Sequence, residues 1–339
     1  MLVNSQKLPT LLSKTIRAGI TSFVYGPSGS GKSDIVEQLA KDYNLHFIDI
    51  RLSQIDPIDL SGIVTVNSDK TKGSYLPMDM FPLEGDTPPN GKAGFLVFLD
   101  EANQCSKAVA SAAFQLTLDK AVGQYKLHKN TAIILAGNDA ADSSVVNKLP
   151  APLLNRLAHF ELGVDKNAWI KWADKNNIDY RIKSYISYKP DMLHKYNKKK
   201  DDKGFPTPRT WHFASKLLNH EPLNEDSIIL LTSVLGEPAA REFYSYTSIF
   251  NNLPKLEDII NNPDGAKVTN EPSINYAITG LLGHELNMDN VEPIMKYIAR
   301  IPIEFQVLCV QSAVASKSEL LQCDVVVDWK LAHVSALMT

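Results

Sequence analysis

The sequence predicts an α/β fold: a mostly parallel sheet wrapped by helices, followed by a helical half. Three observations carry this. Between residues 22 and 162, short apolar runs alternate with amphipathic stretches, the pattern of repeated strand–helix–strand units. The runs are nearly continuous in apolar residues, as strands covered on both faces are. After residue 162 the strand signals thin out, and helical patterns follow one another between Pro, Gly and Asn clusters.

Five runs read as strands, at 22–25, 46–50, 95–99, 131–136 and 158–162. Amphipathic patterns at 32–43 and 106–119 read as the helices between them. Beyond a boundary near Gly163, helices are expected at 165–176, 209–218, 227–250 with an interruption at Gly236–Pro238, and 273–286. Two polar segments, 66–76 and 195–204, interrupt the two halves, the second containing Lys198-Lys199-Lys200-Asp201-Asp202-Lys203. Neither is long enough to separate free domains, and no solenoid-period repeat is present.

The 339 residues suggest two or three domains. With 44% apolar and 22% charged residues the chain can build a core. Lys and Arg number 35 against 38 Asp and Glu, a net charge of -3, which argues against a protein built to coat nucleic acid. Cys105, Cys309 and Cys323 are odd in number and far apart, so reduced thiols in a cytosol are expected, with neither a disulfide framework nor a CxxC metal site. No apolar leader opens the sequence, and no run approaches a membrane span of about 18 apolar residues, so neither export nor membrane insertion is expected.

Gly26-Pro27-Ser28-Gly29-Ser30-Gly31-Lys32-Ser33 fits G-x-x-x-x-G-K-[ST] between an expected strand and an expected helix. The glycines let successive N–H groups face an anion, and the helix start adds its positive dipole end. Lys32 is suited to the β- and γ-phosphates of ATP, and the Ser33 hydroxyl to Mg²⁺. The alternative is a flexible glycine turn. The run 95–99 ends in Asp100-Glu101, two carboxylates at a strand tip, where open α/β sheets bind ligands. Asp100 can hold Mg²⁺ through its water shell and Glu101 can orient or deprotonate a water; alone, such a pair can equally be a solvated cap. The run 131–136 leads into Gly137-Asn138-Asp139, where Asn138 can bond the attacking water or the γ-phosphate, or simply form a turn.

These motifs resemble those of AAA+ ATPases, in particular the MoxR-type branch related to the dynein-like families, with members in bacteria and phages. The stretch Asp49-Ile50-Arg51-Leu52-Ser53-Gln54-Ile55-Asp56-Pro57-Ile58-Asp59-Leu60-Ser61-Gly62 is similar to the branch's D-x-R-L-S-Q-x-D-P-x-D-L-x-G. The similarity is strong from about Thr21 to Arg209 and weaker afterwards, where 235–243 is similar to helical tails of phage and bacterial relatives. The phosphate loop departs from the branch's usual Gly-Pro-Pro-Gly-Thr-Gly but keeps every glycine.

The resemblance implies a P-loop core at 1–163, an all-helical lid at 164–250 and a helical C-terminal extension at 251–339. It implies that Arg156, in Leu153-Leu154-Asn155-Arg156-Leu157, is an arginine finger reaching the γ-phosphate of an adjacent subunit, and that Arg209, in Pro208-Arg209-Thr210-Trp211, touches nucleotide from the lid. Plain surface arginines are the alternatives. It also implies hairpins at 62–83 and 119–127, making Lys70, Lys72, Tyr75, Lys120, Tyr125 and Lys126 candidates for contact with a partner.

Together these imply a Mg²⁺-dependent ATPase acting as a homo-oligomeric ring, a hexamer, that remodels a protein partner, in relatives a von Willebrand factor A-like protein. The cytoplasm of a bacterial or phage-infected cell is the expected location. A nucleic-acid motor or loader is the alternative, and a nucleotide-gated scaffold with little turnover a third. No H-E-x-x-H or G-x-S-x-G pattern is present, and the 198–203 run, diluted by two Asp, reads as a solvated loop.

Overall fold

The computed structural model describes residues 2–139, 147, 149–196 and 204–333; the 198–203 run lies outside them. Two compact units make up the chain, Met1–Val164 and Asp165–Thr339.

The first unit contains, in order, β1 (Leu2–Val3), α1 (Leu8–Arg17), β2 (Ser22–Gly26), α2 (Lys32–Asp42), β3 (Leu45–Arg51), α3 (Pro57–Ser61), β4 (Ile63–Val66), β5 (Gly73–Leu76), β6 (Gly94–Asp100), α4 (Lys107–Asp119), β7 (Ala121–Val122), β8 (Tyr125–Lys126), β9 (Thr131–Asn138), α5 (Ala151–Leu154) and β10 (Ala158–Leu162). Six strands form one parallel sheet in the order β1-β10-β2-β9-β6-β3. The expected five-stranded sheet is thus corrected by one edge strand, β1, which pairs Leu2 with Glu161 and Val3 with Leu162. Two residues carry no measurable periodicity, so β1 left no sequence pattern.

Alternation along each strand splits the core in two. Phe23, Val97 and Leu99 face the side covered by α4, whereas Val24, Leu96 and Phe98 face α1 and α2. Each fully buried Leu or Phe contributes about 1.5–3 kcal/mol, which is why the sheet's centre tolerates no polar side chain and the chemistry is displaced to the tips. Both hairpins exist as antiparallel pairs, β4 with β5 and β7 with β8. They approach each other closely: a Cβ added at Gly123 would lie 3.3 Å from Tyr75 Cβ.

The second unit is helical: α6 (Lys166–Lys175), α7 (Tyr180–Tyr188), α8 (Pro208–Leu218), α9 (Glu225–Leu235), α10 (Glu237–Thr247), α11 (Leu256–Asn261), α12 (Pro272–Glu285), α13 (Val291–Ile298), α14 (Ile303–Ser316) and α15 (Asp324–Ala332). Gly236, with φ 77°, separates α9 from α10 at the interruption expected from sequence. Its interior includes a polar staple: Lys183 on α7 donates to Asp174 on α6 at 2.8 Å, and Ser312 on α14 donates to the same carboxylate oxygen at 2.7 Å. Among the described residues no helix is long and apolar enough to cross a membrane.

Candidate nucleotide site

β2 ends at Gly26 and α2 begins at Lys32, so the phosphate loop spans a strand-to-helix turn. Gly29 and Gly31 hold φ of 72° and 87°, conformations that cost other residues and that turn the chain around the helix start. Lys32, only 7% exposed, donates through Nζ to the carbonyls of Gly26 at 2.9 Å and Pro27 at 2.8 Å and to Asn138 Oδ1 at 3.1 Å. The Ser30 hydroxyl is buried in the loop without a hydrogen-bond partner among the described residues, an orphaned group of the kind a phosphate oxygen would satisfy.

β6 brings the acidic pair to the next position. Ser33 Oγ donates to Asp100 Oδ2 at 3.0 Å, joining the two residues expected at the metal, and Asp100 Oδ1 accepts the Glu101 N–H at 2.8 Å. Glu101 has a positive φ of 58°, uncommon for a non-glycine residue, and its carboxylate accepts a close hydrogen bond from the Ser53 hydroxyl. Asp49, on the neighbouring β3, has its carboxyl pushed above the usual range by lost hydration and then by the charge of Asp100, with Glu101 adding to it. Such crowding of negative charge favours a cation.

Among the described residues no group of three or more His, Cys, Asp or Glu could hold a metal by itself. Ser33 and Asp100 offer a hydroxyl and a carboxylate instead. That donor set fits Mg²⁺, which takes one or two protein oxygens and fills its octahedron with water and phosphate.

Asn138 closes the site from the tip of β9. Its N–H donates to Asn103 Oδ1 at 3.0 Å, its carbonyl accepts from Asn103 Nδ2 at 2.7 Å, and its amide Nδ2 donates to Gln104 Oε1 at 3.0 Å. This leaves its Oδ1 turned to Lys32. Gly137 is required beside it, because a Cβ there would come within 2.6 Å of Asn103 Oδ1. The sequence reading missed Ser53, Asn103 and Gln104 as orienting groups. Asn103 and Gln104 follow the acidic pair by two and three residues, and that proximity was the available signal.

Lys32, Ser33, Asp100, Glu101 and Asn138 therefore converge on the tips of β2, β6 and β9, neighbours in the sheet. Arg156 stands exposed in the turn between α5 and β10, and Arg209 stands exposed at the second residue of α8 in the helical unit. Neither forms an ion pair among the described residues.

Residues 22–163 match the family described as ATPase family associated with various cellular activities, abbreviated AAA. Over these residues the chain is similar to that family, and the match takes in the phosphate loop, the acidic pair and Asn138 of an ATP-hydrolysing P-loop unit. A comparison with curated proteins finds no match to this sequence. Solved structures similar to the chain include a point mutant of RuvB from Thermotoga maritima, with 15% identity, 87% of this chain and 86% of that one covered, and a TM-score of 0.39. Another is NtrX from Brucella abortus in complex with ADP, with 11% identity, 98% and 68% coverage, and a TM-score of 0.39.

Proposed function

We propose that the protein is a Mg²⁺-dependent AAA+ ATPase of the MoxR type that works as a homo-oligomeric ring, a hexamer, and remodels a protein partner. The observation that carries the catalytic half is the convergence of Lys32, Ser33, Asp100, Glu101 and Asn138 on three adjacent strand tips. In this reading the loop N–H groups from Gly26, Pro27, Ser28, Gly29, Ser30 and Gly31 through Ser33 cradle the phosphates of ATP. Lys32 exchanges its carbonyl partners for β- and γ-phosphate oxygens, gaining charge-assisted bonds. Ser33 and Asp100 would hold Mg²⁺, which when bound neutralises phosphate charge. Glu101 orients the attacking water and accepts its proton, and Asn138, fixed by Asn103 and Gln104, positions that water.

Two residues complete the site from elsewhere. Arg156 acts on the nucleotide of the adjacent subunit, and Arg209 contacts nucleotide from the helical lid at 164–250, which the extension at 251–339 follows. Loss of the γ-phosphate contacts then releases lid and neighbour, and the ring shifts. The exposed side chains of Val64, Val66, Tyr75 and Leu76 on the first hairpin and Tyr125 on the second support a role in gripping a protein client, with a von Willebrand factor A-like protein the candidate class. The buried free thiols of Cys105, Cys309 and Cys323 fit a reducing cytoplasm.

The test is subunit mixing. Arg156→Ala alone should bind ATP and turn it over slowly, Lys32→Ala alone should not bind, and mixtures should recover turnover because a sound loop then meets a sound arginine. Recovery at no ratio would sink the intersubunit site. Turnover raised by single- or double-stranded DNA in a salt-sensitive way would favour the nucleic-acid motor over the protein remodeller.

A further inference from the structure

A cavity of roughly 370 Å³ opens at the opposite end of the same sheet. Its lining takes Thr21 just before β2, Leu45 at the start of β3, Phe95 near the start of β6 and Thr131 at the start of β9. In a parallel sheet these starts lie one strand length from the tips. The seven steps from Thr131 to Asn138 put about 23 Å between the cavity and the nucleotide groups.

The lining is chemically one-sided. Arg17, Lys120 and Lys129 contribute cations, and among the described residues no Asp or Glu lines it. None of the three forms an ion pair among the described residues. Arg17 ends α1 and Lys120 caps α4, positions where a cation offsets the helix carbonyl end. That role accounts for two cations, but not for Lys129, which lies outside any helix. Lys120, a candidate for contact with a partner, donates its ammonium to the Thr131 carbonyl at 3.5 Å.

Thr131 supplies the independent observation. The residue is 4% exposed, lines the cavity, and its hydroxyl has no hydrogen-bond partner among the described residues. The neighbouring buried Thr21 hydroxyl, by contrast, is satisfied by the Thr117 carbonyl at 3.3 Å. A buried hydroxyl left without a partner is unfavourable unless something binds it. The rest of the wall includes Asn130 and the apolar residues Ile16, Ile20, Ile133 and Phe95.

We propose that this cavity is a second ligand site, separate from the nucleotide site, for a small amphipathic anion: a carboxylate or phosphate monoester on an apolar body. The cations take the head group, the Thr131 hydroxyl bonds it or its linking oxygen, and the isoleucines and Phe95 cover the apolar part. The volume is at the small end of ligand pockets, about 300–1,000 Å³.

The experiment uses the full chain, saturated with ADP to block the phosphate loop and labelled with ¹³C at isoleucine δ1-methyl groups. Phenyl phosphate, benzoate, inorganic phosphate and phenol are titrated in turn. Phenyl phosphate or benzoate should shift the Ile16 and Ile133 methyls saturably, and the stronger of the two identifies the head group. Inorganic phosphate and phenol should bind at least about tenfold more weakly, as should phenyl phosphate or benzoate to the Lys120→Gln, Lys129→Gln double variant. Thr131→Val, whose fold is checked by unchanged methyl shifts elsewhere, should also weaken binding. No saturable shift with either aromatic anion would overturn the proposal. So would inorganic phosphate or phenol binding as tightly as phenyl phosphate or benzoate, or an affinity indifferent to the lysines.

Discussion

Two lysines in this chain are buried to almost the same degree, Lys32 at 7% and Lys183 at 8% exposure, yet they are held differently. Lys32 donates to two peptide carbonyls and an amide oxygen at the strand tips of the first unit. Lys183 donates to the Asp174 carboxylate, itself bound by Ser312, between three helices of the second unit. Neutral acceptors can release an ammonium to a phosphate oxygen and leave little strain behind, because carbonyls return readily to water or to the loop's own N–H groups. A carboxylate locked by a neighbouring hydroxyl cannot, since removing the lysine strands a buried charge. On the function proposed above, one unit therefore presents a buried lysine as a binding group, and the other uses it as a staple.

The largest expected effects follow from that contrast. Lys32→Ala should lower ATP turnover by at least about 100-fold, the loss of two charged hydrogen bonds at about 1.5 kcal/mol each, while the urea midpoint moves little. Lys183→Met should do the reverse, lowering unfolding free energy by about 3–5 kcal/mol with unchanged turnover per folded molecule. Replacing Asp174 with Leu as well should recover much of that loss. Denaturant titrations and steady-state assays on the same preparations check both halves, and a Lys32→Ala protein that unfolds while Lys183→Met melts normally would invert the comparison.

A smaller effect tests how the binding group is aimed. Asn138 meets Lys32 through Oδ1 because Gln104 accepts from its Nδ2. Gln104→Ala removes that acceptor and should lower kcat about tenfold with KM for ATP and stability little changed, whereas Gln104→Glu keeps an acceptor and should retain more activity. If both variants lower kcat equally, Gln104 acts by packing and not by orienting the amide.

The same contrast explains what was legible in the sequence. The phosphate loop, the acidic pair and Asn138 could be read because each sits at the end of an apolar run, so one-dimensional spacing already encoded a shared sheet edge. Five of the six strands showed for the same reason. β1 did not, because Leu2 and Val3 are strand only by virtue of Glu161 and Leu162, far along the chain. The helical unit was legible only where a single helix was amphipathic. The Asp174–Lys183–Ser312 cluster draws on three helices and spans 138 residues from Asp174 to Ser312, so no local pattern reveals it. Ser53, although inside the family-like stretch 49–62, gained a role only when β3 and β6 paired and brought its hydroxyl to Glu101.

The mildest effect is one of pH, and it separates the units again. His284, in the helical unit, stacks on His220 with ring centres 5.3 Å apart and on Tyr180 at 5.1 Å. Burial lowers its pKa below the usual 6.5, Glu285 opposes this, and His220, Lys183 and Lys317 reinforce it. The folded chain thus prefers the neutral ring, while the unfolded chain takes a proton near pH 6.5. Below that pH the unfolded state binds more protons, so stability falls as pH drops toward the lowered folded value. Glu242 is held below its usual range by the hydrogen bond from Lys189, so its loss begins only below about pH 4.5 and lies in a separate window. Hydrogen exchange, corrected for intrinsic rates, should show protection of α7 weakening between pH 7 and pH 5.5 while that of β2 holds. His284→Phe keeps a ring for the stack and removes the proton, so it should flatten the α7 response. An α7 response that persists in His284→Phe would assign the acid sensitivity to another group and leave the stacked pair a packing feature alone.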